Sequence, residues 1–238
     1  MPTNHDIALV PVSGDLNVRT APALRSTLEA LMDSGCRRIV LNMAEVPFVD
    51  SSGMAVIFGC IRTMRTNGGL ISLVNVTPGV LHILRVARLV DVVPVSAAGE
   101  QRVVEELDSS VLPLWRTTLQ VRPDGLELAR RRTEELARSL GFAGDATFDL
   151  TLAVGEALGN AVDHTCGEGI LATMSGYHDR MVVEVSDCGE GFDESSVGET
   201  QDGERGRGLR LMRLLVDSVS VSARSAGKGT VVRLVKLV

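Results

Sequence analysis

Residues 146–164 read ATFDLTLAVGEALGNAVDH, and this stretch decides the fold of the second half of the chain. Apolar residues recur on one face every three or four positions, which predicts an amphipathic helix. Glu156 and Asn160 are four residues apart and lie on a polar stripe, which Asp163 and His164 extend. Such a stripe is either a solvated helix face or one wall of a binding site. The helix alone does not decide between the two.

Two glycine-rich segments lie downstream of this helix. Residues 187–193, DCGEGFD, follow a predicted strand and have the spacing DxGxG. A carboxylate at the end of a strand can accept a hydrogen bond from an exocyclic amine, and the glycines let the backbone approach a flat ring. Residues 203–209, GERGRGL, are predicted to open a helix over 209–216. A glycine loop that runs into a helix N-terminus leaves backbone N–H groups free to hold phosphate.

These features occur in the order ExxxN, DxGxG, GxG before a helix, and a strand that begins with Gly229-Thr230. This order resembles the histidine-kinase-like ATPase (GHKL) superfamily, and within it the short serine kinases that act as bacterial anti-sigma factors. The resemblance covers about residues 115–238. The resemblance implies an α+β sandwich that binds ATP with Mg²⁺. The predicted arrangement of helices followed by antiparallel hairpins separately favours an α+β fold.

The resemblance also implies a role for each matching residue. Asn160 would bind Mg²⁺, and Asp187 would bind the adenine amino group, with Thr230 helping through water. Glu156 would be the general base, and Arg205, or alternatively Arg207, would supply a cation to the γ-phosphate. The other ATP-binding residues implied are Asp163, Gly189, Gly191, Gly206 and Gly208.

Strands and helices alternate in the first half of the chain, which predicts an α/β layer structure. The pattern weakens after residue 97 into a predicted polar helix, QRVVEELDSS, over 101–110. We therefore expect the domain junction near 108–116, with one domain over 1–110 and a second over 111–238.

The segment FVDSSGMAV, residues 48–56, joins a strand to a helix in this first domain. Ser51 or Ser52 could simply be the N-cap of that helix, a common role for serine. Alternatively, a phosphate carried there would lie on free backbone N–H groups and on the positive end of the helix dipole.

Residues 5–108 resemble the STAS domain, the fold of anti-sigma factor antagonists, a sheet with packed helices. The matching features are the SGDL turn at 13–16, the strand RIVLNM at 38–43, the DSSGM turn at 50–54 and the turn NGG at 67–69. The resemblance implies that Ser51 accepts a phosphoryl group, with Ser52 beside it. Asn17 replaces a frequent acidic residue, and the helix reads MAVIFG where LGVL is usual, so the choice of partner stays open.

Composition narrows the class of protein. The net charge is −6 and aromatic residues make up 3% of the chain, so we expect no direct binding to nucleic acid. The four cysteines are far apart in sequence and form no CxxC pair. The N-terminus has no signal-peptide pattern, and no apolar run reaches the length of a membrane span. We therefore expect a cytoplasmic protein.

Three functions are compatible with these features. The leading hypothesis is a partner-switching transcription regulator that uses Mg-ATP to phosphorylate Ser51, or a serine of a separate STAS partner, and so controls a sigma factor. The alternative is a catalytically silent, ATP-dependent binding switch. The third is a scaffold unrelated to sigma factors. Related kinases are often dimers, so a homodimer is possible, but no feature of the sequence fixes the oligomeric state.

Overall fold

The computed structural model describes residues 7–98, 102–108, 110–165, 169–189, 204–224 and 228–238, with only the backbone of 204–207. The chain divides into two compact units, Met1–Gln101 and Arg102–Val238. Within the described ranges, no helix combines the length and the apolar character that crossing a membrane would require.

The first unit is built on a four-stranded parallel sheet in the order β1-β2-β3-β4. The strands are β1 (Ile7–Ser13), β2 (Arg38–Glu45), β3 (Leu70–Val76) and β4 (Val95–Ala97). The helices are α1 (Ala21–Asp33), α2 (Ser51–Thr66) and α3 (Pro78–Val86), followed by a 3-10 turn at Leu89–Asp91. The predicted α/β alternation is confirmed. Because all four strands are parallel, their carboxyl ends share one edge of the sheet, and the segment that leads from β2 to α2 starts there.

The core of this unit follows from the sequence pattern. Strand β2 is almost continuously apolar and is buried from Ile39 to Leu41, as expected for a central strand of a parallel sheet covered by helices. Helices α1 and α2 pack against each other, and Leu28 and Ile57 are among their buried side chains.

The second unit is a five-stranded antiparallel sheet in the order β5-β6-β7-β9-β8. The strands are β5 (Trp115–Val121), β6 (Ile170–Gly176), β7 (Arg180–Ser186), β8 (Ser218–Ala223) and β9 (Thr230–Leu237). The helices are α4 (Leu126–Ser139), α5 (Gly144–His164) and α6 (Glu204–Leu215). Helix α5 contacts β6, β7 and β9, so it lies over the middle of the sheet. The predicted α+β arrangement is confirmed.

The predicted polar helix over 101–110 is wrong for its described part, because residues 102–108 form no helix. The side chain of Arg180, at the start of β7, donates a hydrogen bond of 2.6 Å to the carbonyl of Glu105. This bond draws the segment onto the second unit, where the contacts also assign it. The boundary between residues 110 and 111 stays a prediction.

Arg180 is itself held by its neighbour in sequence. Its side chain is 9% exposed, and Nε and Nη2 both donate to Asp179 Oδ2, at 2.9 and 2.6 Å. The hydrogen bond from Arg180 holds the pKa of Asp179 below its ordinary value. A depressed carboxyl pKa contributes stability at neutral pH, and this contribution is lost as the pH falls through the pKa of the folded state.

We expect Arg180→Ala to lower the free energy of unfolding of the second unit by about 1–3 kcal/mol, because it removes charge-assisted hydrogen bonds from a buried side chain. Urea unfolding of the full chain measures this. Arg116→Ala is the matched control: its 3.7 Å ion pair with Glu184 is exposed, so we expect a change of no more than about 1 kcal/mol. Equal losses in the two variants would contradict the role given to Arg180.

Candidate functional site

Helix α5 carries two residues of the candidate site, Glu156 and Asn160. Its apolar face is buried against the sheet and the neighbouring helices; that face comprises Leu150, Val154, Ala157, Leu158 and Ala161. Glu156 and Asn160 are half-buried on the polar stripe. Their burial favours a site wall over a fully solvated face. Asp163 lies further along the helix and is exposed.

Helix α6 approaches α5 closely at Gly208. A β-carbon at position 208 would lie 2.5 Å from Glu156 Oε1 and 3.0 Å from Asn160 Nδ2. The first distance is shorter than side chains tolerate, so a side chain at position 208 would displace the end of the Glu156 side chain from its present place against α6. The structure thus brings Glu156, Asn160 and Gly208 together.

The predicted start of this helix is wrong. Gly206 and Gly208 were expected in a loop that ends at residue 209, but α6 already includes Glu204. Glycine inside a helix costs about 1 kcal/mol relative to alanine, which is why the sequence favoured a loop. Packing of α6 on α5 and β8 offsets that cost. Gly206 and the backbone of Arg205 therefore lie in the first turns of α6; the side chains of Arg205 and Arg207 lie outside the described residues.

Asp187 lies directly after β7, where the sequence placed it, and is 8% exposed. Its Oδ1 accepts two backbone hydrogen bonds, from Gly189 N–H at 2.9 Å and from Thr230 N–H at 3.1 Å. Its own N–H donates to the carbonyl of Thr230 at 3.0 Å. Among the described residues, no donor is recorded for Oδ2. The carboxylate is therefore rigidly held by one oxygen while the other remains able to accept.

Two close backbone contacts fix the surroundings of Asp187. At Gly229, φ is 133°, and a β-carbon there would overlap the carbonyl oxygen of Asp187. At Gly189, a β-carbon would lie 2.8 Å from the carbonyl oxygen of His164, at the end of α5. The loop after β7 therefore contacts both β9 and the end of α5. Gly191, another predicted ATP-binding residue, lies outside the described residues.

The two groups of residues lie at different points along α5. Glu156 is eight residues before His164, which is about 12 Å along a helix. Glu156 and Asn160 lie on α5 itself, against α6. The Asp187 carboxylate lies in the loop after β7, which contacts the C-terminal end of α5 through Gly189. An elongated ligand with a hydrogen-bond donor at one end and anionic groups at the other matches this spacing.

Metal binding by protein side chains alone is not supported in the parts of the chain that the structure describes. They contain no cluster of three or more His, Cys, Asp or Glu residues suited to a metal ion. A single amide oxygen, from Asn160, fits an ion that takes its other ligands from water and from phosphate groups. Mg²⁺ commonly binds in this way.

The surroundings of Ser51 correct one prediction. The N-cap of α2 is Asp50, whose Oδ1 accepts from the N–H groups of Ser52 and Gly53 at 2.7 and 2.9 Å. Neither serine is the cap, and these two N–H groups are not free to hold phosphate. As the N-cap, Asp50 makes α2 start at Ser51. Ser51 is exposed and Ser52 is half-buried.

Asp50 is a residue whose role the sequence reasoning missed. Its Oδ2 also accepts from the N–H of Val18 at 3.2 Å, which ties the loop after β1 to the start of α2. A usable signal was present, because Asp is a strongly preferred N-cap and directly precedes the two serines.

We expect Gly208→Ala to change the free energy of unfolding by less than about 1 kcal/mol, because displacing the ends of the Glu156 and Asn160 side chains offsets the gain from helix propensity. Gly159→Ala is the matched control: it lies in α5 with no atom near its β-carbon position, so we expect a gain of up to about 1 kcal/mol from helix propensity. Urea unfolding of the full chain compares the two. An equal gain in the two variants would show that α6 does not approach Glu156 this closely.

Comparisons with known proteins match each half of the chain separately. Residues 1–101 match the family model of the STAS domain, and residues 119–236 match that of the histidine kinase-like ATPase domain. These matches confirm both resemblances that were inferred from the sequence.

Three characterised relatives are similar to parts of the chain. An anti-sigma F factor antagonist of Paenibacillus polymyxa is 30% identical over 96 residues, which are 40% of this chain and 82% of the relative. An anti-sigma-B factor antagonist of Bacillus subtilis is 30% identical over 98 residues, 41% of this chain and 88% of the relative. The serine-protein kinase RsbW of Halalkalibacterium halodurans is 32% identical over 121 residues, 45% of this chain and 75% of the relative.

The antagonists and the kinase are each similar to less than half of this chain, and the two family models match successive segments. The chain therefore belongs to two families at once, to the STAS domain family through residues 1–101 and to the histidine kinase-like ATPase family through residues 119–236.

Proposed function

We propose that this protein is a partner-switching regulator whose second domain binds Mg-ATP and phosphorylates a serine of a STAS domain, either its own Ser51 or that of a separate partner, to control the availability of a sigma factor. The proposal divides the chain into a STAS domain over 1–110 and a kinase-like domain over 111–238. The observation that carries it is the convergence of Glu156 and Asn160 on Gly208, with the anchored carboxylate of Asp187 beyond the other end of this stripe.

The adenine end of the proposed site is built on Asp187. Its Oδ1 is taken by the N–H groups of Gly189 and Thr230, so Oδ2 is the oxygen that accepts from an exocyclic amino group. Adenine carries an amino group at the position where guanine carries a carbonyl oxygen. A carboxylate accepts hydrogen bonds and does not donate them, so this position selects ATP over GTP. Gly189 and Gly191 border the base, and Thr230 assists through water.

The phosphate end lies between α5 and α6. Asn160 would supply an oxygen ligand for Mg²⁺, and the ion would neutralise charge on the phosphate groups. Gly206 and Gly208 allow the backbone of α6 to lie close to the phosphates. Arg205 at the start of α6 contributes a cation to the γ-phosphate. Asp163 contributes to the polar lining further along α5.

The transfer step requires little covalent chemistry from the protein. The hydroxyl oxygen of Ser51 forms a bond to the γ-phosphorus while the bond between that phosphorus and the β–γ bridging oxygen breaks, so that ADP leaves. The carboxylate of Glu156 takes the hydroxyl proton or orients it. Positioning and charge neutralisation supply most of the rate enhancement in phosphoryl transfer.

Covalent linkage of the two domains affects regulation. Joining an acceptor and a kinase by a short linker raises the effective concentration of each for the other to roughly millimolar, where the linker permits docking. Partners of this protein are a sigma factor and STAS or kinase proteins of the same system, as the names of the relatives suggest. The proposal includes neither nucleic-acid binding nor a membrane location, and a homodimer is compatible with it.

We expect Asp187→Asn to weaken ATP binding at least about tenfold, since it removes an acceptor to the amino group. The Asn Oδ1 can still accept from Gly189 and Thr230, while its Nδ2 donates in place of Oδ2. GTP affinity should therefore not fall. Calorimetric titration with ATP and GTP measures both affinities, and Asp124→Asn, at an exposed position in the 3-10 turn before α4, is the control. A parallel loss of ATP and GTP affinity would contradict the assignment.

Where the chain's own Ser51 is the acceptor, we expect incubation of the full chain with Mg-ATP to place phosphate on it, as mapped by mass spectrometry. Ser51→Ala should abolish that phosphorylation, and Glu156→Gln should slow it by about a hundredfold or more because it removes a general base. Ser52→Ala is the matched control and should be phosphorylated at Ser51 normally. The dependence of the rate on protein concentration separates reaction within one chain from reaction between chains.

Two results would count against this function. Phosphate retained in both Ser51→Ala and Glu156→Gln would mean that neither residue has the role given to it. Tight ATP binding without any phosphoserine, even on a panel of separate STAS proteins, would identify the domain as a silent, ATP-dependent binding switch.

A further inference from the structure

The acceptor segment is held by an unusually complete set of hydrogen bonds to Asp50. Oδ1 of Asp50 accepts from Ser52 and Gly53, and Oδ2 accepts from Val18, at 2.7, 2.9 and 3.2 Å. Both oxygens of this one carboxylate are therefore committed to backbone N–H groups, two in the first turn of α2 and one in the loop after β1.

The backbone of Asp50 extends this attachment. Its N–H donates to the carbonyl of Leu16 at 3.0 Å, and its carbonyl accepts from Met54 N–H at 3.0 Å. Gly53 lies so close to Leu16 that a β-carbon there would be 2.6 Å from the Leu16 carbonyl oxygen. The loop after β1 and the start of α2 therefore form one tightly connected unit around residue 51.

Ser51 lies on the outside of this unit. Its side chain is exposed, and no hydrogen bond from its hydroxyl to any described residue is recorded. The hydroxyl is presented to the solvent on a backbone fixed on both sides. This geometry suits an acceptor that has to enter the active site of another domain without local unfolding.

The same hydrogen bonds affect a phosphate carried by Ser51. Free N–H groups at a helix N-terminus normally attract phosphate. Here Asp50 already occupies those of Ser52 and Gly53, and its own negative charge lies one residue from a group that carries about −1.5 to −2 charges. The N–H groups of Ser52 and Gly53 are therefore not available to the phosphate, and the carboxylate of Asp50 repels it from the N-terminus of α2.

We propose that Asp50 is a positioning residue with two effects: it fixes Ser51 as an outward-facing acceptor, and it keeps the phosphoryl group on Ser51 away from the N-terminus of α2. The phosphate then stays in the solvent, where a partner protein can contact it. Phosphorylation of Ser51 therefore adds an exposed charge and leaves the fold of the STAS unit unchanged. This inference rests on the proposed function in taking Ser51 as the phosphorylated residue.

The test installs phosphoserine at position 51 of the full chain by codon reassignment, so it does not depend on whether the protein phosphorylates itself. Amide hydrogen exchange by NMR is measured at Val18, Ser52 and Gly53. In the natural sequence, we expect phosphoserine to change these three exchange rates by less than about threefold, since Asp50 retains its bonds.

The Asp50→Ala variant tests whether Asp50 keeps the phosphoryl group of Ser51 away from the N-terminus of α2. Without phosphate, this variant should exchange about fivefold to tenfold faster at all three amides, since an N-cap is lost. With phosphoserine at position 51, the phosphate should take the vacated N–H groups and slow exchange at Ser52 and Gly53 again. Val18 should stay fast, because only Asp50 Oδ2 held it. Asp33→Asn, an exposed position at the end of α1, is the control and should match the natural sequence throughout.

The rate of Ser51 phosphorylation provides a second readout for a positioning role. Asp50→Asn retains the two hydrogen bonds from Ser52 and Gly53 through Oδ1 and loses the one from Val18. It should keep the rate within about threefold, whereas Asp50→Ala should lower the rate about tenfold with unchanged ATP affinity. If phosphoserine in the natural sequence slows exchange at Ser52 and Gly53 and speeds it at Val18, the phosphate displaces Asp50 and the proposal is wrong. A normal rate in Asp50→Ala would overturn the positioning effect.

Discussion

The candidate nucleotide site depends on the hydrogen bonds that hold the Asp187 carboxylate. A carboxylate that is only 8% exposed is stable when its oxygens are satisfied, and here Gly189 and Thr230 satisfy one of them. These bonds connect the loop after β7 to the first residue of β9. They require the backbone of β9 to approach within van der Waals contact, which the glycine at 229 permits. The remaining oxygen is thereby set in one position before any ligand arrives.

Asp50 in the first unit also accepts hydrogen bonds from backbone N–H groups, but through both of its oxygens. Each carboxylate accepts from backbone N–H groups beside the end of a helix or strand. In Asp187, one oxygen accepts from Gly189 and Thr230, and no donor to the other is recorded among the described residues. Asp50 commits both oxygens, and the neighbouring Ser51 hydroxyl is the group left exposed. The two carboxylates thus differ in the number of oxygens that backbone N–H groups of the described residues occupy.

Much of this fold could be predicted from periodicity. The apolar runs of β1 to β3 and the helical spacing in α5 located these elements to within a few residues. The predictions failed where a tertiary contact outweighs local propensity. Gly206 and Gly208 are typical of a loop, yet packing against α5 keeps them in a helix. Residues 102–108 have helical composition, but no helix forms in the segment that Arg180 binds.

The site was predictable only in part, for a related reason. Asp187, Asn160 and Glu156 could be proposed from order and spacing, because the family motif preserves residue types at those points. The contact between Gly208 and Glu156 could not, since it depends on how closely two helices pack. The commitment of Asp50 to Val18 was equally hidden, because those residues are 32 positions apart in sequence. N-cap propensity identifies Asp50 as a cap, but it does not identify Val18 as the second partner of its carboxylate.

The most direct test of the central claim is the change in backbone amide chemical shifts when a non-hydrolysable ATP analogue and Mg²⁺ are added to the full chain. The account predicts that the largest changes occur at both ends of the polar stripe of α5, at Asn160 and Gly208 and at Gly189 and Thr230. Shifts confined to the first unit, or at only one end of that stripe, would contradict a nucleotide lying along α5.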